Sequence, residues 1–132
     1  MIIEKKEGLE VIGEVSNGQD LINMVKAVSC EMVILDLNMP IVNGIEVLEY
    51  LHDNHPKIKS IVLTTHKEKV FLKRALSKGA KGYILKEESH DSLLSAIHDV
   101  RQGKRAISSE MTNHIVNDYV SDLSNSLSID LL

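Results

Sequence analysis

The nine residues from 32 to 40, which read MVILDLNMP, decide the fold of this chain. They open with the run Met32 to Leu37, which is too short for a helix and predicts a strand buried on both faces. Asp36 lies at the carboxyl end of that predicted strand, where a carboxylate is costly to bury unless it has a partner or a function. An aspartate at a strand end is, taken alone, more often a turn former or a helix cap. This position therefore makes Asp36 a candidate functional residue but does not identify its role.

Outward from this strand, short apolar runs alternate with amphipathic stretches. The predicted strands are Leu9 to Val15, Met32 to Leu37, Ser60 to Thr65 and Gly82 to Leu85. The predicted helices begin after Ser16-Asn17-Gly18, near Asn43-Gly44, at about Glu68 and after Ser89. Their predicted ends include His55 before Pro56, Lys78 with Gly79 as a left-handed cap, and Gly103. This alternation predicts an α/β domain with a parallel sheet, right-handed crossovers and helices on both faces.

The sequence changes character after Gly103. Ser108-Ser109-Glu110 predicts a helix start, and one apolar stripe of that helix would contain Met111, Ile115, Tyr119 and Leu123. Residues 121–128 are rich in serine and typical of a linker. We therefore divide the chain into residues 1–105, a single α/β domain, and residues 106–132, a helix with a linker.

The composition and charge of the chain exclude several classes of function. The 132 residues carry a net charge of −4 and contain 43% hydrophobic residues, which is typical of one soluble globular domain. This balance gives no electrostatic reason to expect nucleic-acid binding or membrane binding by this segment. No apolar stretch is long enough to span a membrane and no signal peptide is visible, so we expect a cytoplasmic protein. No glycine-rich phosphate-binding motif occurs, which disfavours a nucleotide-binding enzyme.

Three motifs in order resemble the receiver domains of two-component response regulators. Residues 36–44 read DLNMPIVNG and are similar to the D-x-x-M-P-x-x-x-G segment of that family. Thr64-Thr65 resembles its hydroxyl site, and residues 79–86, GAKGYILK, resemble the segment that ends in its lysine. Residues 13–18 and 64–66 are similar to the LuxR/NarL-type subgroup, whose output is a DNA-binding helix-turn-helix. The resemblance covers about residues 4–109 and implies a flavodoxin-like fold.

The resemblance implies a role for each matching residue. Asp36 would be the phosphate acceptor, and Lys86 and Thr64 would contact the phosphoryl oxygens. Asp36 and the backbone carbonyl of Asn38 would be ligands of Mg²⁺. Tyr83 would be the switch aromatic that reorients on phosphorylation. The chain would accept a phosphoryl group rather than act as an enzyme beyond self-phosphorylation and self-dephosphorylation.

Each of these assignments has an alternative. Lys86 could be a plain surface charge, Thr65 could replace Thr64, and Tyr83 could be only a core aromatic. His66 follows the family pattern without an assigned role. The implied partners are a sensor histidine kinase and a second copy in a homodimer. The parent protein would regulate transcription, with no DNA binding by this segment, and the alternative function is a degenerate receiver that serves only as a protein-interaction module.

The beginning of the chain departs from the family pattern. Receivers open with a strand that ends in two acidic residues, which hold Mg²⁺, whereas residues 1–8 (MIIEKKEG) resemble the tail of the following helix. Glu4 and Glu7 would then lie in the wrong element. In the 2-1-3-4-5 strand order of the fold, the missing strand is interior, so its neighbours would lack ladder partners. We therefore expect weakened Mg²⁺ binding and either a rearranged packing or an intertwined dimer.

Overall fold

The strand that precedes Asp36 lies inside a six-stranded sheet. A computed structural model describes residues 2–4, 10–38, 43–113, 115–117, 120–121 and 123. Its elements are β1 Ile2–Glu4, β2 Glu10–Gly13, α1 Gly18–Ala27, β3 Met32–Leu35, α2 Gly44–Asn54, β4 Lys59–Thr64, α3 Lys69–Ser77, β5 Gly82–Leu85, α4 His90–Arg101 and β6 Ala106–Ile107. Residues 109–113 and 115–117 are also helical.

The strand order is β2-β1-β3-β4-β5-β6, and β3 to β6 run parallel to one another. Side chains of β3 to β5 alternate between two cores. On one face Val33, Leu35 and Tyr83 pack with α1, α2 and α3, and on the other Met32 and Ile34 pack with α4. Every residue of β3 and β5 is buried, as expected for parallel strands covered on both faces. The expected α/β fold with flanking helices is confirmed.

The interior position next to β3 contains a strand, so the expectation that no strand precedes residue 9 was wrong. β1 pairs with β2 and with β3, and both pairings are antiparallel. Its direction is therefore opposite to that of all its neighbours, and Ile2, not Glu4, lies toward the Asp36 end of the sheet. A segment that resembles a helix tail becomes a strand here because an unpaired interior ladder is costlier than a weak β propensity. Of the two expected alternatives, a rearranged packing and an intertwined dimer, the single chain shows the rearranged packing.

Local capping signals set the helix bounds. The side chains of Asn17, Asn43 and Ser89 each accept a hydrogen bond from the backbone N–H three residues later, as N-caps do. Gly79 has φ of 100°, which confirms the predicted left-handed cap after α3. β2 differs from its prediction, because Glu10 and Val11 are exposed on an edge strand rather than buried. No helix in the described part of the chain is long and apolar enough to cross a membrane.

The helix after β6 starts as predicted. The Ser108 carbonyl accepts a hydrogen bond from the Thr112 N–H at 2.9 Å, and Met111 is fully buried against the core. Lys67 binds Glu110 at 3.4 Å and Glu87 at 3.1 Å, which ties this helix to the loops after β4 and β5. Along the predicted apolar stripe Met111 is buried and Leu123 is 48% exposed, while Tyr119 lies outside the described residues.

Candidate functional site

Three polar residues predicted from the sequence lie at the carboxyl ends of three adjacent parallel strands. Asp36 follows β3, Thr64 is the last residue of β4, and Lys86 follows β5. Because β3 pairs with β4 and β4 with β5 in parallel, these ends meet at one edge of the sheet. The structure therefore brings the three residues together.

Lys86 and Asp36 form a direct ion pair between Nζ and Oδ2. The side chain of Asp36 is 30% exposed and that of Lys86 is 44% exposed, so both reach solvent at the rim of the sheet. A small anion can therefore approach the carboxylate from outside and meet a cation at the same point.

The other oxygen of Asp36 faces its own loop. Oδ1 accepts a hydrogen bond from the Asn38 N–H at 2.9 Å. The loop is closed at Gly44, whose N–H donates to the Leu37 carbonyl at 3.1 Å. A Cβ at Gly44 would lie 2.5 Å from both the Asp36 carbonyl oxygen and the Leu37 Cα, so only glycine permits this approach. The glycine of the D-x-x-M-P-x-x-x-G pattern thus holds the start of α2 against the Asp36 backbone.

Asp36 is held in its ionised form. Burial by itself would raise the pKa of this carboxyl, and it is the largest single influence. The opposing effects of the Asn38 N–H, the Lys86 ammonium and the His66 charge together outweigh it, so the pKa of Asp36 lies below its usual value of 3.8. The group is therefore a carboxylate at neutral pH, which is the form that acts as a nucleophile.

Thr64 is fully buried behind this ion pair, whereas Thr65 is exposed. The Thr64 carbonyl accepts a hydrogen bond from the Lys86 N–H at 2.8 Å, and its hydroxyl oxygen accepts one from the His66 N–H at 3.2 Å. Among the hydrogen bonds of the described residues, none joins the Thr64 hydroxyl to Asp36. In the described part of the chain, no hydrogen bond has the Thr64 hydroxyl as its donor.

Tyr83 is fully buried in β5, with its ring in the core beneath α3. Its hydroxyl donates a hydrogen bond to the His66 carbonyl at 2.9 Å. Burial, followed by the nearby Glu68 charge, raises the pKa of Tyr83 to about 12. This residue is thus a neutral core aromatic joined through one hydrogen bond to the loop after β4.

His66 occupies a more central place than the sequence indicated. Asn38 Nδ2 lies 2.8 Å from His66 Nε2, which connects the loop after β3 to the loop after β4. The His66 ring also stacks on Phe71 of α3, with ring centroids 4.2 Å apart. Two signals pointed to His66: its place in the family pattern at residues 64–66, and its position two residues beyond Thr64 at the same edge of the sheet.

The described residues do not make a complete Mg²⁺ site. In the part of the chain that the structure describes, no group of three or more His, Cys, Asp or Glu side chains could hold a metal ion. The available donors are the Asp36 carboxylate, whose oxygens already bind Lys86 and the Asn38 N–H, and the Asn38 carbonyl. Mg²⁺ prefers six oxygen ligands in octahedral geometry, so this donor set does not fit the ion by itself.

Comparison with known proteins shows one consistent family. The profile described as the response regulator receiver domain matches residues 1–98. The transcriptional regulatory protein LnrK of Bacillus subtilis is 31% identical over 118 residues, which cover 89% of this chain and 54% of LnrK. The chain spans about half the length of the curated relatives it matches.

Solved structures agree with this match. A two-component response regulator of the LuxR family from Aurantimonas has a TM-score of 0.79 at 24% identity, covering 83% of this chain and 79% of that one. The isolated receiver domain of RcsB from Salmonella enterica, solved with the phosphomimetic BeF₃⁻, has a TM-score of 0.73 at 26% identity, covering 79% and 78%.

Proposed function

Because the chain belongs to the response regulator receiver domain family, we propose that it accepts a phosphoryl group on Asp36 and changes conformation in response. The observation that carries this proposal is the contact between the ionised Asp36 carboxylate and the Lys86 ammonium at an open strand edge. A nucleophile and a cation at one accessible point are the elements that phosphoryl transfer needs, since this reaction depends on positioning and charge neutralisation.

The proposed step is an in-line displacement. One Asp36 carboxylate oxygen forms a bond to phosphorus while the bond from phosphorus to the donor nitrogen of a phosphohistidine breaks. The electron pair of the broken bond stays on the donor imidazole, which takes a proton from solvent. Lys86 then exchanges its contact with the carboxylate for one with a phosphoryl oxygen. The Thr64 hydroxyl, whose proton has no acceptor among the described hydrogen bonds, would donate to another phosphoryl oxygen.

Tyr83 and His66 would transmit the change. If Thr64 moves toward the phosphoryl group, its hydrogen bond from the His66 N–H must lengthen, because the hydroxyl cannot keep both positions. The Tyr83 hydroxyl is bonded to the carbonyl of the same His66, so it would lose or follow its acceptor. We therefore propose Tyr83 as the switch residue, because the acceptor of its hydroxyl lies on the residue that would respond to Thr64.

The names of two relatives support the proposed role of the parent protein and the proposed dimer. LnrK is named a transcriptional regulatory protein, and RcsB was solved as dimers bound to DNA. We propose by analogy that a sensor histidine kinase is the donor, that this chain is cytoplasmic and forms a homodimer, and that the parent architecture regulates transcription. Mg²⁺ remains the expected cofactor of the family. Asp36 and the Asn38 carbonyl are its only proposed ligands, so we expect weak binding.

The experiment that tests the proposal is phosphorylation by acetyl phosphate in the presence of Mg²⁺, followed by intact mass. We expect a single phosphoryl adduct on the parent chain and on Asp53→Asn, which changes an exposed carboxylate on α2, and no adduct on Asp36→Asn. An adduct that persists in Asp36→Asn would refute the assignment of the acceptor.

A second candidate function is a protein-interaction module without phosphorylation. The observation that favours it is that the described residues include no group of three or more His, Cys, Asp or Glu side chains that could hold a metal ion. Absence of any adduct, from protein shown to be folded by circular dichroism, would establish this alternative and remove the phosphoacceptor proposal.

A further inference from the structure

A groove of about 540 Å³ lies at the end of the sheet opposite Asp36. It is formed where α2 and α3 end and where β4 and β5 begin. Its floor is apolar and contains Leu48, Leu51, Ile58 and Leu76. The six residues of β4 separate this end of the sheet from Thr64 by roughly 17 Å at the usual rise per residue. Occupation of the groove would therefore leave the phosphorylation site open.

The walls of this groove, which we call the cationic groove, carry one sign of charge. Five cationic side chains line it, and no Asp or Glu does so among the described residues: Lys57, Lys59, Lys78, Lys81 and Arg105. Lys78 is neutralised by Glu49 at 3.2 Å. In the described part of the chain, Lys57, Lys81 and Arg105 take part in no ion pair, in contrast to the cations of the Asp36 end. In a chain of net charge −4, this concentration of unneutralised cations attracts an anionic partner.

Helix dipoles explain only part of this pattern. Cations near the carboxyl ends of α2 and α3 would complement those ends in any protein, which suffices for Lys78. Lys81 and Arg105 instead precede β5 and β6, beyond the last turn of any helix. Lys81 and Arg105 lie at the rim of an apolar floor, so a ligand that is both acidic and apolar would complement this groove.

The chain itself contains such a segment. Residues 116–132, which we call the acidic segment, read VNDYVSDLSNSLSIDLL and contain Asp118, Asp122 and Asp130 with no Lys or Arg. The structure describes residues 116–117, 120–121 and 123 of it, all helical. Val116 and Val120 are each 52% exposed and Leu123 is 48% exposed. These three described side chains are apolar and exposed, and they are spaced by four and three residues, as side chains that share one helix face are.

We propose that the acidic segment of one copy docks into the cationic groove of a second copy. The proposal rests on the homodimer that forms part of the proposed function, and it assigns the surfaces. Carboxylates of the segment would neutralise Lys57, Lys81 and Arg105, while its apolar face would cover the groove floor, as in other helix-in-groove recognition. Pairing of two acidic segments with each other would instead bring like charges together. The phosphates of a nucleic acid would leave the apolar floor unused.

Sedimentation equilibrium of residues 1–132 at low and high salt tests this inference. We expect self-association that weakens as salt rises, because the paired charges are near the surface. Lys81→Glu with Arg105→Glu should raise the dimer dissociation constant at least about tenfold, since like charges would then face each other. The matched control is Lys26→Glu with Lys73→Glu, which makes the same change in net charge at exposed positions away from the groove. It should leave the constant within about threefold of the parent value.

Two further variants separate the possible partners. Asp118→Asn with Asp122→Asn should weaken the dimer if the groove is the partner, and should preserve or tighten it if two acidic segments pair. Asp118→Lys with Asp122→Lys should restore association when it is combined with Lys81→Glu and Arg105→Glu, because the charges of the segment and the groove are then exchanged. A dimer that the groove variant weakens no more than the control variant would overturn the assigned surface while leaving the homodimer intact. A chain that stays monomeric throughout would overturn both, whereas the Asp36 adduct is measured independently of either result.

Discussion

Lys86 lies 50 residues after Asp36 in the chain, and its ammonium group contacts the Asp36 carboxylate directly. The contact exists because β3, β4 and β5 are parallel neighbours, so that residues following β3 and β5 come within reach of each other across the end of β4. The pair holds the Asp36 carboxylate and its counter-ion together at the carboxyl end of the sheet.

Removal of this counter-ion should change the titration of Asp36. Lys86→Ala is expected to raise the pKa of the Asp36 carboxyl, because burial is then opposed by fewer favourable contacts. Carbon-detected NMR of the side-chain carboxyls measures this pKa directly. Lys67→Ala, which removes a cation bound to Glu87 and Glu110, is the control and should leave Asp36 unaffected. An unchanged pKa in Lys86→Ala would mean that the ion pair does not persist in solution.

The lowered pKa of Asp36 also predicts how stability depends on pH. A carboxyl with a depressed pKa in the folded state contributes stability above its unfolded value of 3.8, and this contribution is lost as the pH falls through the folded value. The difference in unfolding free energy between the parent chain and Asp36→Asn should therefore shift against the parent chain as the pH falls from neutrality to below 3.8. Urea unfolding at several pH values measures this difference, and one that does not change with pH would contradict the assigned pKa direction.

Gly44, which closes the loop after Asp36, should be less replaceable than Gly103. In Gly44→Ala the added Cβ would meet backbone atoms at 2.5 Å, and we expect a loss of about 1–3 kcal/mol because the backbone cannot move aside freely. Gly103→Ala is the matched comparison. Its φ is 88° but no atom lies within 4 Å of the added Cβ, so only the left-handed conformation costs about 1 kcal/mol. Denaturant midpoints give both values, and a larger loss at Gly103 would argue against the close approach.

Met111 should anchor the helix that follows β6. Met111→Ala is expected to lower the unfolding free energy by about 2–5 kcal/mol, because the side chain is fully buried. Val116→Ala in the same helix removes an exposed side chain and should change stability by less than about 0.5 kcal/mol in the monomer. Equal effects of the two substitutions would mean that this helix does not pack as described.

Tyr83→Phe isolates the hydroxyl from the ring. The ring remains in the core, so we expect a loss of about 1 kcal/mol from the hydrogen bond to the His66 carbonyl. Tyr50→Phe, whose hydroxyl lies 3.4 Å from His55 Nε2, should cost less because that contact is long. Thermal unfolding compares the two, and a neutral Tyr83→Phe would weaken the proposed link between Tyr83 and the loop after β4.

The elements that the sequence predicts well are those with local signals. β5 has its predicted bounds, β4 differs by one residue at each end, and α2 ends before His55 because Pro56 follows. The meeting of Asp36 with Lys86 also follows from the order of parallel strands. These features depend on residues close in sequence or on one topological rule.

The remaining features depend on contacts between distant parts of the chain. β1 and β6 are three and two residues long, too short for a periodic signal, and exist because a neighbouring strand offers a ladder. The contact between Asn38 and His66 depends on the orientation of two side chains, which spacing does not specify. The exposure of Leu123 shows a similar limit. Helical spacing indicates which residues share a face but not whether another element covers it.

The antiparallel strand β1 is a weak junction in the sheet. β3 pairs with β4 along four residues, yet it pairs with β1 through only two, and the pairing of β1 with β2 is interrupted by a register shift. Strands β3 to β6 therefore form the more stable part of the sheet, and β1 and β2 are joined to it by fewer backbone pairings. Under mechanical load or in mild denaturant, β1 and β2 should separate from β3 first. The part of the sheet that bears Asp36 and Lys86 would then remain folded longer than these two strands.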